Sequence, residues 1–244
     1  MTTTGPTHEA ALAGKVALVT GGSRGIGQAI ARALVAHGAS VAITGRTAGD
    51  LAIAASELGS AGLAVEADVR DPGDAGRAVD EAATRFGGLD ILVNNAGVGL
   101  FGNVVDLSND DWQSVFQTNL SGVFYCCRAA IPHLKRRGGG WIINISSLAG
   151  KNPFAGGAAY CASKAGLNAF SEALMQEVRH DDIRVSYVLP GSVATGFSGR
   201  GEAGSAAWKI QPEDVGQVVL DLLLMNPRSL PSRIELRPSR PVKG

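Results

Sequence analysis

The sequence predicts an α/β fold: a doubly wound, parallel, seven-stranded sheet with helices on both faces, in a single domain. Three observations predict it. From Lys15 onward, short β-branched runs alternate with longer segments of helical periodicity, the pattern of strand–helix–strand crossovers in a sheet covered on both sides. A glycine-rich turn joins the first strand to the first helix, as nucleotide-binding sheets require. No internal repeat or linker composition interrupts the alternation over the 244 residues, a length that one large α/β domain accommodates.

The strands are expected at 16–20, 40–44, 63–67, 91–93, 141–145, 184–189 and 233–236, and the helices at 25–37, 48–58, 73–86, 110–137, 159–180 and 212–224. Thr47 stands as N-cap of the second helix, and Asp71 caps the third ahead of Pro72, whose fixed φ suits a first turn. Ser108 and Asp111 form a capping box with Asp in place of the usual Glu or Gln. Pro132 should kink the last turns of the fourth helix before the Gly138-Gly139-Gly140 stop. Residues 1–12 and the last few are expected to be loose, with the domain at 13–244.

Composition narrows the function classes. Twenty-two Lys and Arg balance 22 Asp and Glu, so no global field points to nucleic acid or an anionic membrane, and a small molecule is the expected partner. Cys126, Cys127 and Cys161 lack zinc or disulfide spacing, and His8, His37, His133 and His180 are scattered; no metal is expected, and a reducing cytoplasm fits. The first dozen residues show no leader pattern and no stretch is long enough to span a membrane. Thirty-three glycines, against about 7% in an average chain, imply close backbone approaches.

The informative glycines lie in Thr20-Gly21-Gly22-Ser23-Arg24-Gly25-Ile26-Gly27, at the first strand-to-helix turn. Glycines there let free N–H groups and the helix dipole meet a pyrophosphate. Asn94-Asn95-Ala96-Gly97 follows the fourth strand, Ser147 the fifth, Tyr160 to Lys164 lies on the next helix, and Pro190-Gly191 follows the sixth strand. In order and spacing these motifs resemble the short-chain dehydrogenase/reductase family over roughly 15–236.

The resemblance implies a Rossmann-type sheet that carries both cofactor and catalytic residues. It places Gly21, Ser23, Arg24, Gly25, Ile26 and Gly27 at the cofactor, Asp68 and Val69 at its adenine, and Asn94, with Ala96 and Gly97, along the adenine side. Pro190, Gly191, Val193 and Thr195 resemble the loop against the nicotinamide. Cofactor choice is read at the end of the second strand, where an acidic residue would bind the ribose of NAD. Gly45 stands there, Arg46 follows, and Arg24 lies in the glycine loop. Two guanidiniums can clamp a 2′-phosphate, so NADP(H) is preferred and NAD(H) is the lesser option; the alternative is that both are ordinary solvated arginines.

Tyr160 and Lys164 are four residues apart on one helix face. A nearby ammonium should lower the phenol pKa by roughly 1 to 3 units, toward operating pH, and make Tyr160 the acid/base. Ser147, at a carboxyl strand edge, can hydrogen-bond the substrate oxygen, whereas Ser146 reads as structural. By resemblance Asn119 holds a water in a proton relay from Lys164, and Lys164 also binds the nicotinamide ribose. Residues 98–101, 148–154 and 193–209 should surround the nicotinamide with Leu100, Phe101, Phe154, Phe197 and Trp208, and residues 198–207 should form a mobile lid.

The sequence thus predicts a hydride-transferring oxidoreductase acting on a carbonyl or secondary alcohol. A 3-oxoacyl carrier-protein reductase, docking through Lys135, Arg136, Arg137 and Lys151, is the nearest rival, and a non-catalytic NADP(H) sensor is a further one. By resemblance, the helices that carry Asn119 and Tyr160 pair with those of neighbouring subunits in a dimer or tetramer.

Overall fold

The computed structural model describes residues 10–198 and 206–241. Among them are strands β1 (Val16–Val19), β2 (Ser40–Gly45), β3 (Gly62–Glu66), β4 (Ile91–Asn94), β5 (Gly140–Ile145), β6 (Ile183–Pro190) and β7 (Arg233–Leu236). They form one parallel sheet in the order β3-β2-β1-β4-β5-β6-β7. The chain winds outward from β1 to β3, then returns to lay β4 on the other side of β1, with Ala17 opposite Ile91. This reversal opens a crevice beyond the carboxyl ends of β1 and β4, where ligands bind in open α/β sheets.

Helices cover both faces. On one side α1 (Gly25–Ala36), α2 (Ala48–Glu57) and α7 (Pro212–Leu224) pack over Ala17, Val19, Ile43 and Ile143. On the other, α3 (Pro72–Phe86), α5 (Gly122–Arg136) and α6 (Ala158–Val178) pack over Leu18, Ala42, Leu92 and Ile142. Successive strand residues therefore feed opposite cores. That is why these strands read as apolar runs rather than alternating ones.

The cap at Asp71 forms as expected, with its side chain accepting from the Asp74 N–H at 2.9 Å. Ser108 likewise accepts from the Asp111 N–H at 3.0 Å, but only that half of the box forms. Thr47 occupies the N-cap of α2 without a side-chain bond, so its contribution is its extended backbone alone. The expected continuous helix over 110–137 is instead α4 (Asn109–Phe116), a π-helical turn (Gln117–Ser121) and α5. The turn widens the helix without breaking its apolar stripe, so periodicity could not show it; such turns recur at functional sites. Pro132 lies inside α5, which runs on to Arg136.

Of the stretch expected to be loose, residues 1–9 lie outside the described residues. Leu12 is seated in the core and its N–H donates to His37 O at 2.8 Å, so the ordered chain begins before residue 13.

At the amino edge of the sheet, buried Asp90 joins three elements. Its carboxylate accepts from the Val16 N–H at 3.0 Å, from Lys15 Nζ at 3.3 Å and from Arg137 Nε and Nη2 at 3.2 and 3.1 Å. Asp90→Ala should cost about 2–4 kcal/mol in denaturant unfolding, because a buried N–H loses its acceptor along with two cations. Lys15→Ala, half-exposed at its end of the same pair, should cost less than about 1 kcal/mol. Equal losses would show that the ion pair, not the buried carboxylate, organises this edge.

Candidate active site

Backbone contacts build the crevice. Thr20 Oγ1 accepts from the N–H groups of Asn95 and Ala96, both at 3.0 Å. In return the Asn95 amide donates to Thr20 O at 2.9 Å and Gly21 O at 3.0 Å. This latch draws the turns after β1 and β4 together until a Cβ on Gly21 would lie 3.0 Å from Ala96 Cα. Gly21 and Gly25 hold φ of +63° and +56°, left-handed conformations suited to glycine. A Cβ on Gly27 would lie 2.3 Å from Gly21 O, so the first turn of α1 can follow this loop only with glycine there.

Other expected site residues converge on the same loop. Thr195, beyond β6, would be 3.4 Å from a Cβ on Gly25, and Ser23 Oγ would be 3.4 Å from one on Gly45. Val193 bridges to Ile210, and the Gly191 N–H donates to Leu236 O at 2.8 Å, anchoring the segment after Pro190. Ile26 turns inward against the core beneath α1. The residues of the proposed lid at 199–205 lie outside the described residues.

At the adenine end the arrangement departs from expectation. The Asp68 carboxylate is gripped by Arg70, whose Nε reaches its oxygens at 3.0 and 2.9 Å and whose Nη2 reaches one at 2.5 Å. That pairing, more than the nearby Arg46 charge, holds the Asp68 carboxyl below its ordinary range. Arg24 and Arg46 are exposed and have no carboxylate partner among the described residues. Val69 packs on α5, where a Cβ on Gly122 would meet its side chain at 2.9 Å. Asn94 does not turn its side chain to the crevice. Its amide donates inward to Asn144 Oδ1 at 2.8 Å and Cys127 Sγ at 3.3 Å, and Asn144 passes the chain to Ser171 at 2.8 Å.

Asn95 and Thr20, which the sequence motifs include but to which the sequence reading gave no role, therefore do the bridging at the crevice. The signal was available in strand alternation. Val93 feeds the core under α1, so Asn94 must point to the opposite core, leaving Asn95 for the crevice.

The reacting residues cluster around α6. Tyr160 is 9% exposed and Lys164 4%. Burial raises the Tyr160 pKa, with the nearby Ser147 hydroxyl opposing it more weakly. The expected lowering by Lys164 does not dominate, because Lys164 Nζ donates to Ile145 O at 2.8 Å and lies 6.0 Å from the phenol ring centre. Burial in turn lowers the Lys164 pKa to about 8. Ser147 Oγ accepts from the Ala149 N–H at 3.1 Å. Ser146 is structural as expected, binding Asn168 Oδ1 at 2.5 Å.

Asn119 sits in the π-helical turn, fully buried. Its Oδ1 accepts from the Val98 N–H at 2.8 Å, and its Nδ2 donates to Val98 O at 2.9 Å and Ser163 Oγ at 3.0 Å. Both amide donors are thus spent, which leaves a relay water only one acceptor lone pair on this side chain. Gly97 fills the angle between, since a Cβ there would stand 3.3 Å from Asn119 Oδ1 and 3.8 Å from Lys164 Nζ. A neutral phenol beside a hydroxyl and a buried amine can donate a proton to an oxygen bound between Ser147 and Tyr160.

Lys164 carries a stability signature. Below about pH 8 it is protonated in both folded and unfolded chains, and the folded chain bears the burial cost. Between about 8 and the ordinary 10.5 only the unfolded chain keeps the proton, so stability rises with pH. Relative to Lys164→Met, the wild type should gain roughly 2 kcal/mol of unfolding free energy between about pH 7.5 and 9.5, at 1.36 kcal/mol per unit. Parallel pH profiles for the two proteins would show that the ammonium is not desolvated.

The short chain dehydrogenase family model matches residues 15–204. The 3-oxoacyl-acyl-carrier-protein reductase FabG of Salmonella typhimurium is 40% identical over 182 residues, 75% of each chain. The 3-alpha-(or 20-beta)-hydroxysteroid dehydrogenase of Mycobacterium tuberculosis H37Rv is 38% identical over 209 residues, 86% of this chain and 76% of that one. Among solved structures, a short chain dehydrogenase from Burkholderia cenocepacia in complex with NADP superposes with a TM-score of 0.85 at 37% identity, covering 93% of this chain and 97% of that one. The 3-ketoacyl-(acyl-carrier-protein) reductase of Brucella melitensis complexed with NADH gives 0.88 at 29% identity, covering 94% and 99%. The chain belongs to the short-chain dehydrogenase family of oxidoreductases.

Proposed function

We propose that this chain uses NADP(H) to interconvert a carbonyl and a secondary alcohol, with Tyr160 as acid/base, on one domain. The observation that carries the reading is the convergence of Ser147, Tyr160 and Lys164 beside a glycine cradle that side chains would fill. The cradle fits a dinucleotide: Gly21, Gly25 and Gly27 bring backbone to the N-terminus of α1, where N–H groups and the dipole suit a pyrophosphate. When bound, the nicotinamide supplies or accepts the hydride.

The protein's part is binding, orientation and proton management. Ser147 orients the substrate oxygen, and the phenol of Tyr160 gives it a proton during reduction or takes one during oxidation. A phenol kept neutral by burial is ready as the acid. Lys164 binds the nicotinamide ribose in this reading, and Asn119 positions the 98 segment and α6 rather than touching substrate. Helices α4–α5 and α6 pair with those of other copies in a dimer or tetramer, through a face that includes exposed Trp112 and Phe124.

Preference for NADP(H) rests on Gly45, Arg46 and Arg24. A carboxylate at 45 would stand beside Ser23, where it would repel a 2′-phosphate. Arg70 contributes indirectly, because by occupying Asp68 it leaves Arg46 free for the phosphate. The carrier-protein alternative is favoured by the FabG likeness, but three of its four expected docking cations, all but Arg136, are otherwise engaged. Lys135 pairs with Asp181 at 2.7 Å, Arg137 with Asp90 at the opposite sheet edge and Lys151 with Glu235 at 2.5 Å.

The deciding assay is NADPH consumption across ketones, aldehydes, quinones and an acyl thioester, beside Tyr160→Phe. Loss of about 10²- to 10⁴-fold in kcat is expected for that variant; full turnover without the phenol, or cofactor binding with none, would sink the reading and the latter would favour a sensor. Gly45→Asp with Arg46→Ala should reverse the NADPH-to-NADH ratio of kcat/KM. Arg70→Gln should lower the same ratio about two- to fivefold, the scale of one partly exposed charge pair. An unchanged ratio in both would mean that these arginines do not read the phosphate.

A further inference from the structure

Three of the seven phenylalanines in a chain with only 5% aromatic residues gather around one phenol. Phe101 meets the Tyr160 ring edge-on at 5.5 Å between centres, and Phe154 continues outward from Phe101 at 5.9 Å. Phe197 approaches Tyr160 from another side at 5.8 Å. Phe154 is 50% exposed and Phe197 44%, so the run leads from solvent to the Tyr160 ring.

Glycines fix these rings in place. A Cβ on Gly99 would lie 2.6 Å from the Phe197 ring and 2.8 Å from that of Phe101, and one on Gly157 would lie 2.6 Å from Phe154. The rings therefore rest directly on backbone at 99 and 157. Among the described residues no cation covers Phe101, Phe154 or Phe197. Lys151, three residues before Phe154, is held by Glu235. The wall thus presents ring edges and faces without a charge.

We infer that the substrate of this site carries an aromatic ring beside its carbonyl carbon, held among Phe101, Phe154 and Phe197. The inference rests on the carbonyl-reducing reading above. A saturated chain or ring of equal size would bury similar apolar area, but only an aryl ring would use the tilted and edge-on geometries that aromatic pairs favour. Polar or anionic groups would find no partner on this wall.

The test compares acetophenone with cyclohexyl methyl ketone, which differ in ring character at nearly constant size. Titration calorimetry on the enzyme loaded with NADP⁺ measures each ketone without turnover, since an oxidised cofactor cannot reduce it. Acetophenone should bind about tenfold more tightly in the wild type. That ratio should fall toward one in both Phe101→Leu and Phe154→Leu, which keep the wall apolar. Equal affinities in the wild type, no binding of either ketone, or a ratio unchanged in both variants would overturn the inference. NADPH turnover of a carbonyl without ring preference would overturn it while leaving the oxidoreductase reading intact, whereas ring preference in binding with no turnover of any carbonyl would overturn that reading and, with it, the carbonyl part of the inference, leaving only an aryl-binding wall.

Discussion

The site depends on one hydrogen-bonded latch. Thr20 and Asn95 tie the turns after β1 and β4 together with four short bonds, and each further contact is reached from there. Ala96 is pressed against Gly21, Gly97 against Asn119 and Lys164, and Asn119 holds Val98 on one side and Ser163 on the other. Ser163 donates to Tyr160 O at 2.8 Å. A continuous path of short contacts thus runs from the glycine cradle to the helix that carries the phenol. Its members are buried or partly so, where hydrogen bonds are costly to leave unmade, and this keeps the cradle and the phenol in register.

The same burial that fixes geometry makes the reacting groups expensive. Lys164 is an amine with little access to water that donates to Ile145 O, and Tyr160 is a phenol among rings. Desolvation raises one pKa and lowers the other, so both neutral forms are favoured. Such groups reduce stability in exchange for chemistry, and perturbed values of this kind cluster at functional sites. The π-helical turn belongs with them, since it seats Asn119 between Val98 and Ser163.

Strand and helix positions were legible in the sequence because parallel strands buried on both faces and amphipathic helices leave strong patterns; all seven strands lie within two residues of expectation at either end. The glycine cradle was legible because backbone approach restricts residue type. Three things were missed. The π-helical turn leaves the apolar stripe intact and so has no periodic signature. The inward turn of Asn94 and the role of Asn95 were legible only through strand alternation, which the motif as a string of letters does not display. The grip of Arg70 on Asp68 depends on side-chain direction beyond a strand end, where no period applies.

A net charge of zero conceals how charge is distributed. Several cations along the helices and lower edge are tied: Arg32 to Glu57, Arg77 to Asp74 and Glu81, Lys135 to Asp181, Arg137 to Asp90. Arg24 and Arg46 have no carboxylate partner among the described residues, but that alone does not distinguish them, because Arg136 has none either. What distinguishes them is place. Arg24 is the N-cap of α1 and Arg46 immediately follows β2, beside the glycine cradle, whereas Arg136 ends α5, where a cation already complements the helix dipole. Asp68 is a carboxylate that feels the Arg46 charge, and Arg70 occupies it through both oxygens. Positive charge is therefore left uncompensated where backbone N–H groups are also free, the combination that an anion at the mouth of the crevice would need.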